Sequence, residues 1–178
     1  MAREARVVLI DGRSGSGKTT LAQRIAEALG AQTLHLEDLY PGWGGLAAGS
    51  AAVASVLEAG EYRAYDWYAG RFGDAPIALD PQRPLVIEGC GAVTTENLRA
   101  AEDFAGSCAR PGDRPVWSIW IECPLDVRRE RALARDGAVF APHWEAWAAQ
   151  ESAHFAARRP LALVNEVVHG DVHGDGRW

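Results

Sequence analysis

The stretch LIDGRSGSGKTTLAQ, Leu9 to Gln23, sets Gly12, Gly17, Lys18 and Thr19 at the spacing GxxxxGK[ST]. That spacing suits one kind of chemistry, the holding of a polyphosphate. Glycines at 12, 15 and 17 let the backbone curl so that its N–H groups converge on an anion. A helix starting near Lys18 adds its positive end. Arg13, Ser14, Ser16 and Thr20 complete the loop. The pattern places Lys18 to reach the β and γ phosphates and the Thr19 hydroxyl to meet Mg²⁺. Lys18 is also the only lysine among 18 Lys and Arg residues. A small ammonium can follow a moving phosphoryl group better than the planar guanidinium fork, which gives this position a reason to differ from the rest.

Two carboxylates fall where they could serve such a phosphate. Asp38 follows an apolar run, and Glu88 closes LVIEG. One could hold Mg²⁺ beside Thr19, directly or through water, while the other accepts a proton from an attacking hydroxyl. In LDVRRERALARDG, Arg128, Arg131 and Arg135 share a helical face. Arg131 and Arg135 are the preferred pair for closing a lid over the transferring phosphoryl group. A solvated helix balanced by Asp126 and Glu130 is the plainer alternative. Asp136-Gly137 reads as the turn that ends this helix.

The elements that must position these groups alternate in kind. Apolar runs at Arg6–Ile10, Gln32–Leu36, the segment after Pro84, VWSIWIE and Leu161–Val168 read as strands. Helices are expected over Lys18–Leu29, Leu46–Ala59, Thr95–Ala105, Leu125–Arg135 and Pro142–Arg158, while Glu61–Asp80 resists division. The alternation predicts an α/β fold of three layers, a mainly parallel five-stranded sheet with helices on both faces. Ligands bind such sheets at the carboxyl ends of the strands, and the loop, Asp38 and Glu88 all sit at such ends. One domain spans 1–178, with an acceptor-binding insertion at about 40–80, a lid and following helix at about 126–157, and a polar tail at 169–178.

Composition narrows the setting. With 178 residues, 48% hydrophobic and a net charge of −6, the chain is long enough for one ordinary core. It is not built for general binding to nucleic acid. Cys90, Cys108 and Cys123 lack CxxC spacing and suit a reducing compartment. No run approaches a membrane span or a signal peptide, so a cytoplasmic location without a membrane partner is expected. Trp144 and Trp147, with Phe140 and Phe155, read first as core packing, whereas Trp43 and Trp67 are better placed to stack on a ring. His169, Asp171, His173 and Asp175 read as a polar terminus more readily than as metal ligands.

GRSGSGKTT, then EDLY after the second strand, YDW, and VIEG on the third resemble, in that order, the uridine-kinase-like branch of the small-molecule P-loop kinases. The resemblance runs from about Val7 to Arg135. It implies ATP and Mg²⁺ as cofactors and a small-molecule phosphoryl acceptor. It implies Asp38 as catalytic base, Glu88 as metal-side acid, and Tyr40 with Tyr65, Asp66 and Trp67 in the acceptor pocket. Arg71 sits one position from the family's arginine, and the histidine the family places after its Y-D-F element is absent. Transfer to a nucleoside of the uridine or cytidine type leads. A nucleoside monophosphate or another metabolite is the alternative acceptor, and a nucleotide-binding switch with little turnover is the alternative class.

Overall fold

A computed structural model describes residues 5–106 and 115–170. Cys108, nearly all of the loop at Arg110–Pro115, and the tail residues Asp171, His173 and Asp175 lie outside the described residues.

The chain runs β1 (Val7–Gly12), α1 (Lys18–Leu29), β2 (Gln32–His35), α2 (Leu46–Ala59), β3 (Glu61–Tyr62), β4 (Tyr65–Asp66), β5 (Arg71–Phe72), β6 (Ile77–Ala78), β7 (Leu85–Glu88), α3 (Thr95–Gly106), β8 (Val116–Glu122), α4 (Leu125–Phe140), α5 (Trp144–Arg158) and β9 (Glu166–His169). Five strands form one sheet in the order β2-β7-β1-β8-β9, and every pairing within it is parallel. This is the expected α/β architecture.

Side chains alternate across a strand, and β1 shows the consequence. Val8 and Ile10 pack with Leu21 and Ala22 of α1 on one face. Val7 and Leu9 pack on the other with α2, α3, and Phe140, Trp144 and Trp147 from the α4–α5 region. All four β1 residues are fully buried, as a strand covered on both sides must be.

Three expectations needed adjustment. Glu61–Asp80 resolves into two short antiparallel pairs, β3 with β6 enclosing the hairpin of β4 with β5. The last strand is shorter than its apolar run, because Arg159 turns left-handed (φ 51°) and Pro160–Ala162 forms a single 3₁₀ turn. Finally, α4 continues beyond Arg135 but breaks at Gly137, whose φ of 51° and ψ of −130° are not helical. Among the described residues, no helix is long and apolar enough to cross a membrane.

Candidate active site

The sheet order puts β7 between β1 and β2, so the carboxyl ends of these three strands lie side by side. Ile10 and His35 both register with Glu88. The loop after β1, the acid ending β7 and the turn after β2 therefore meet at one edge, where parallel α/β sheets place their ligands.

The loop between β1 and α1 is anchored from below. Asp11 is fully buried and accepts from the backbone N–H groups of Gly12, Gly91 and Val93 at 2.7, 2.9 and 2.9 Å. Burial raises its pKa to about 6, against the opposing pull of those three donors. Gly17 caps α1 in a left-handed conformation (φ 99°), which a glycine adopts without strain. The Lys18 ammonium donates to the Arg13 carbonyl at 3.0 Å and lies 3.5 Å from Cys90 Sγ. Burial alone would lower its pKa, but Cys90, Glu88, Glu151 and Asp11 hold it above the usual value. Lys18 is therefore charged at neutral pH.

Thr19 Oγ1 donates to Glu88 Oε1 at 3.1 Å, and His35 Nδ1 lies 2.7 Å from the same oxygen. Burial would raise the Glu88 pKa, yet the His35 hydrogen bond and the Lys18 charge bring it below the ordinary value. A hydroxyl and an ionised carboxylate thus stand together. Among the described residues, no cluster of three or more His, Cys, Asp or Glu is arranged to hold a metal. The Thr19 hydroxyl and Glu88 carboxylate are hard oxygen donors and fit an ion such as Mg²⁺, which takes most of its shell from phosphate and water.

A cavity of about 630 Å³ joins this phosphate end to an aromatic end. Ser14, Gly15, Lys18, Thr19, Glu88 and Cys90 line the first; Tyr40, Trp43, Trp67, Phe140 and Trp147 line the second, and Glu37, Arg135 and Asp136 also line the cavity. Trp43 is the hub of the aromatic wall. It stacks on His143 with centroids 4.3 Å apart and on Phe140 at 5.4 Å, and Trp67 leans on it at 4.8 Å.

Of the two acids in EDLY, Glu37 faces the cavity. Asp38 is absent from the lining and receives the Tyr62 hydroxyl at 3.4 Å. The 3₁₀ turn Leu36–Asp38 points the two neighbours in different directions. Burial raises the Glu37 pKa, with the Arg135 charge opposing it.

The acceptor residues read from YDW divide. Tyr40 and Trp67 line the cavity, and Trp67 Nε1 donates to the Glu37 carbonyl at 3.2 Å. Asp66 instead closes its own turn, accepting from the N–H groups of Tyr68 and Ala69. Arg71 is exposed and pairs with Asp74, and Tyr65 packs against Trp67 and Phe72. These three are not among the lining residues.

The arginine face also divides. Arg135 lines the cavity but is held by Asp136, with Nε and Nη2 contacts of 2.7 to 3.0 Å. Arg131 lies toward Cys123 Sγ at 3.8 Å and does not line the cavity. Arg128 is buried and donates to the carbonyls of Cys123 (3.0 Å) and Ser14 (3.1 Å). Glu151, 1% exposed, accepts the Ser14 N–H at 2.6 Å. No local pattern in the sequence points to Glu151.

No family model matches the chain. A cytidylate kinase from Methanopyrus kandleri is 31% identical over 134 residues, 74% of this chain and 63% of that relative. The alignment thus spans less than two thirds of the relative's length. Among solved structures, a possible uridine kinase from Bacillus stearothermophilus superposes with a TM-score of 0.54 at 19% identity, over 90% of this chain and 86% of that one. Shikimate kinase from Bacteroides thetaiotaomicron gives 0.52 at 15% identity, over 96% and 89%. Sheet order, phosphate loop and these likenesses agree: the chain has the P-loop fold of the small-molecule kinases.

Proposed function

We propose that this chain transfers the γ-phosphate of ATP to a hydroxyl group of a neutral, ring-bearing small molecule, with a nucleoside of the uridine or cytidine type as the leading acceptor. The observation that carries this reading is that one cavity is lined by Lys18, Thr19 and Glu88 and also by Glu37 and the aromatic wall.

In this reading the loop and Lys18 hold the phosphates, and Thr19 and Glu88 hold Mg²⁺. When bound, the ion offsets charge on the β and γ oxygens. Glu37 accepts the proton of the acceptor hydroxyl as that oxygen forms its bond to the γ-phosphorus. The bond from that phosphorus to the β-phosphate oxygen breaks, and ADP leaves. Burial that lifts the Glu37 pKa makes it a stronger base. The proton-accepting role expected of Asp38 therefore moves one residue back.

The acceptor's neutrality follows from the lining cations, which are Lys18 and Arg135. Lys18 serves the phosphate end, and Arg135 is engaged by Asp136. Bringing a phosphate or carboxylate beside Glu37 without a cation to meet it is costly. That disfavours nucleoside monophosphates and sugar acids, while flat rings suit Trp43 and Trp67.

The test is ADP formation with ATP·Mg²⁺ and a panel of nucleosides, nucleoside monophosphates, sugars and sugar acids. ADP that depends on a neutral nucleoside supports the reading. A monophosphate or sugar acid as the best acceptor refutes the neutrality, and no acceptor-dependent ADP across the panel refutes kinase chemistry in favour of a switch.

A further inference from the structure

One residue of the phosphate loop is gripped from both sides by the two helices that wall the acceptor cavity. The N–H of Ser14 donates to Glu151 of α5, and its carbonyl accepts from Arg128 of α4. Gly15 sits directly against α4, where an added Cβ would collide with the Arg128 carbonyl.

The N-terminal half of α5 reaches the acceptor wall. Gln150, the residue beside Glu151, donates from Nε2 to the Trp43 carbonyl at 2.8 Å and accepts from the Leu46 N–H at 3.4 Å. Trp147, one turn before Glu151, lines the cavity and meets Tyr40 edge-on at 5.0 Å. Residues four apart share a helix face, so one face of α5 carries both an aromatic wall residue and the loop's carboxylate. Arg13 reinforces the contact. It lies 3.6 Å from Glu151, donates to Ser152 at 3.1 Å, and covers the Phe155 ring at 5.3 Å.

A carboxylate buried this deeply needs partners, and each of Glu151's belongs to the phosphate site: Ser14, Arg13 and the Cys90 thiol at 3.3 Å. We propose that Glu151 is a positioning residue that sets the phosphate loop against the acceptor wall, so that nucleotide binding and acceptor binding are coupled through α5. The inference rests on the kinase reading above. Binding energy at the loop reaches Trp43 and Trp147 through a rigid helix attached at consecutive residues, and coupling of this kind is reciprocal.

Hydrogen exchange of the full chain with and without AMP-PNP·Mg²⁺ tests the coupling without an acceptor. Expected in the wild type is slower exchange in residues 12–20 and also in α5 and residues 42–46, by about tenfold, inside the 5–150-fold range typical of coupled sites. In Glu151→Ala, the protection at 12–20 is expected to persist while that in α5 and 42–46 is lost. Glu151→Gln, whose amide oxygen still accepts the Ser14 N–H, is expected to restore part of it. Should Glu151→Ala not fold, Gln150→Ala replaces it, with loss of protection confined to 42–46. Unchanged α5 protection in Glu151→Ala, or a wild-type effect limited to 12–20, overturns the coupling. So does tighter AMP-PNP binding by Glu151→Gln, which would make the carboxylate a blocking group. Failure of the wild type to bind AMP-PNP at all overturns the kinase reading itself.

Discussion

The hydroxyl of Thr19 donates to Glu88 across 3.1 Å, joining the first turn of α1 to the end of β7. Two residues 69 apart in sequence thereby make one corner of a phosphate site, with Lys18 beside them and a cavity opening away toward the aromatic wall.

Lys18 tests the loop most directly. Lys18→Arg keeps the charge but puts a larger planar group where Lys18 is 8% exposed. Phosphoryl transfer is expected to fall about 10²–10³-fold, the cost of losing one aimed electrostatic donor. Acceptor-dependent ADP release measures it, and near-normal turnover would show that the ammonium's shape is unimportant.

The acids of EDLY can be separated by mutation. Glu37→Gln is expected to lower kcat by about 10²–10⁴-fold, the usual worth of a general base, with AMP-PNP affinity retained. Asp38→Asn should change kcat far less, since its partner is Tyr62. The reverse ranking would return the base to Asp38.

How much of this could be read before any coordinates follows from the distances involved. The phosphate loop and Glu88 were legible because short contiguous motifs carry them and strand ends locate them. So were the parallel sheet and most helix limits, which follow apolar periodicity and glycine stops such as Gly30 and Gly60. The choice between Glu37 and Asp38 depends on how one 3₁₀ turn points adjacent side chains, which periodicity does not encode. The resemblance implies a pocket role for Asp66, whereas its side-chain oxygen is spent on its own turn, a local choice that a short motif does not encode. Glu151 was out of reach altogether, since its partner Ser14 lies 137 residues away and no sequence spacing announces such a pairing.

Removing a ring from the wall should act on one substrate only. Trp43→Ala is expected to raise the acceptor KM by about 5–150-fold, the equivalent of 1–3 kcal/mol of base stacking, while the nucleotide KM stays within about twofold. Steady-state kinetics with each substrate varied in turn decides this. An equal rise in both KM values would mean that Trp43 holds the fold and not the acceptor.

Asp11 makes stability depend on pH. Its pKa in the folded chain, about 6, lies above the unfolded 3.8. Its titration therefore contributes stability that is complete below about pH 4 and fades as pH rises through 6. Relative to Asp11→Asn, the wild type should gain on the order of 3 kcal/mol between pH 7 and pH 4. Denaturant unfolding of both proteins across that range checks it; a constant difference would mean that Asp11 stays ionised throughout.

Gly15→Ala should damage the loop's seat on α4. With φ at 78° and the Arg128 carbonyl in the path of any Cβ, a loss of about 1–3 kcal/mol is expected from overpacking. Thermal unfolding reads it directly. A variant as stable as the wild type would show that α4 yields easily.

The two nested strand pairs between Glu61 and Ala78 add no strand to the main sheet. Their aromatic residues reach the wall from outside the scaffold, as Trp67 does against Trp43. In the kinase reading, the share of acceptor selectivity that rests on Trp67 is thereby carried by a segment outside the main sheet, while Tyr40, Phe140 and Trp147 belong to the core itself. A redesign that grafts a different hairpin pair onto Gly60 and Leu79 could retune which alcohol is chosen, leaving the phosphate machinery and the core that supports it as they stand.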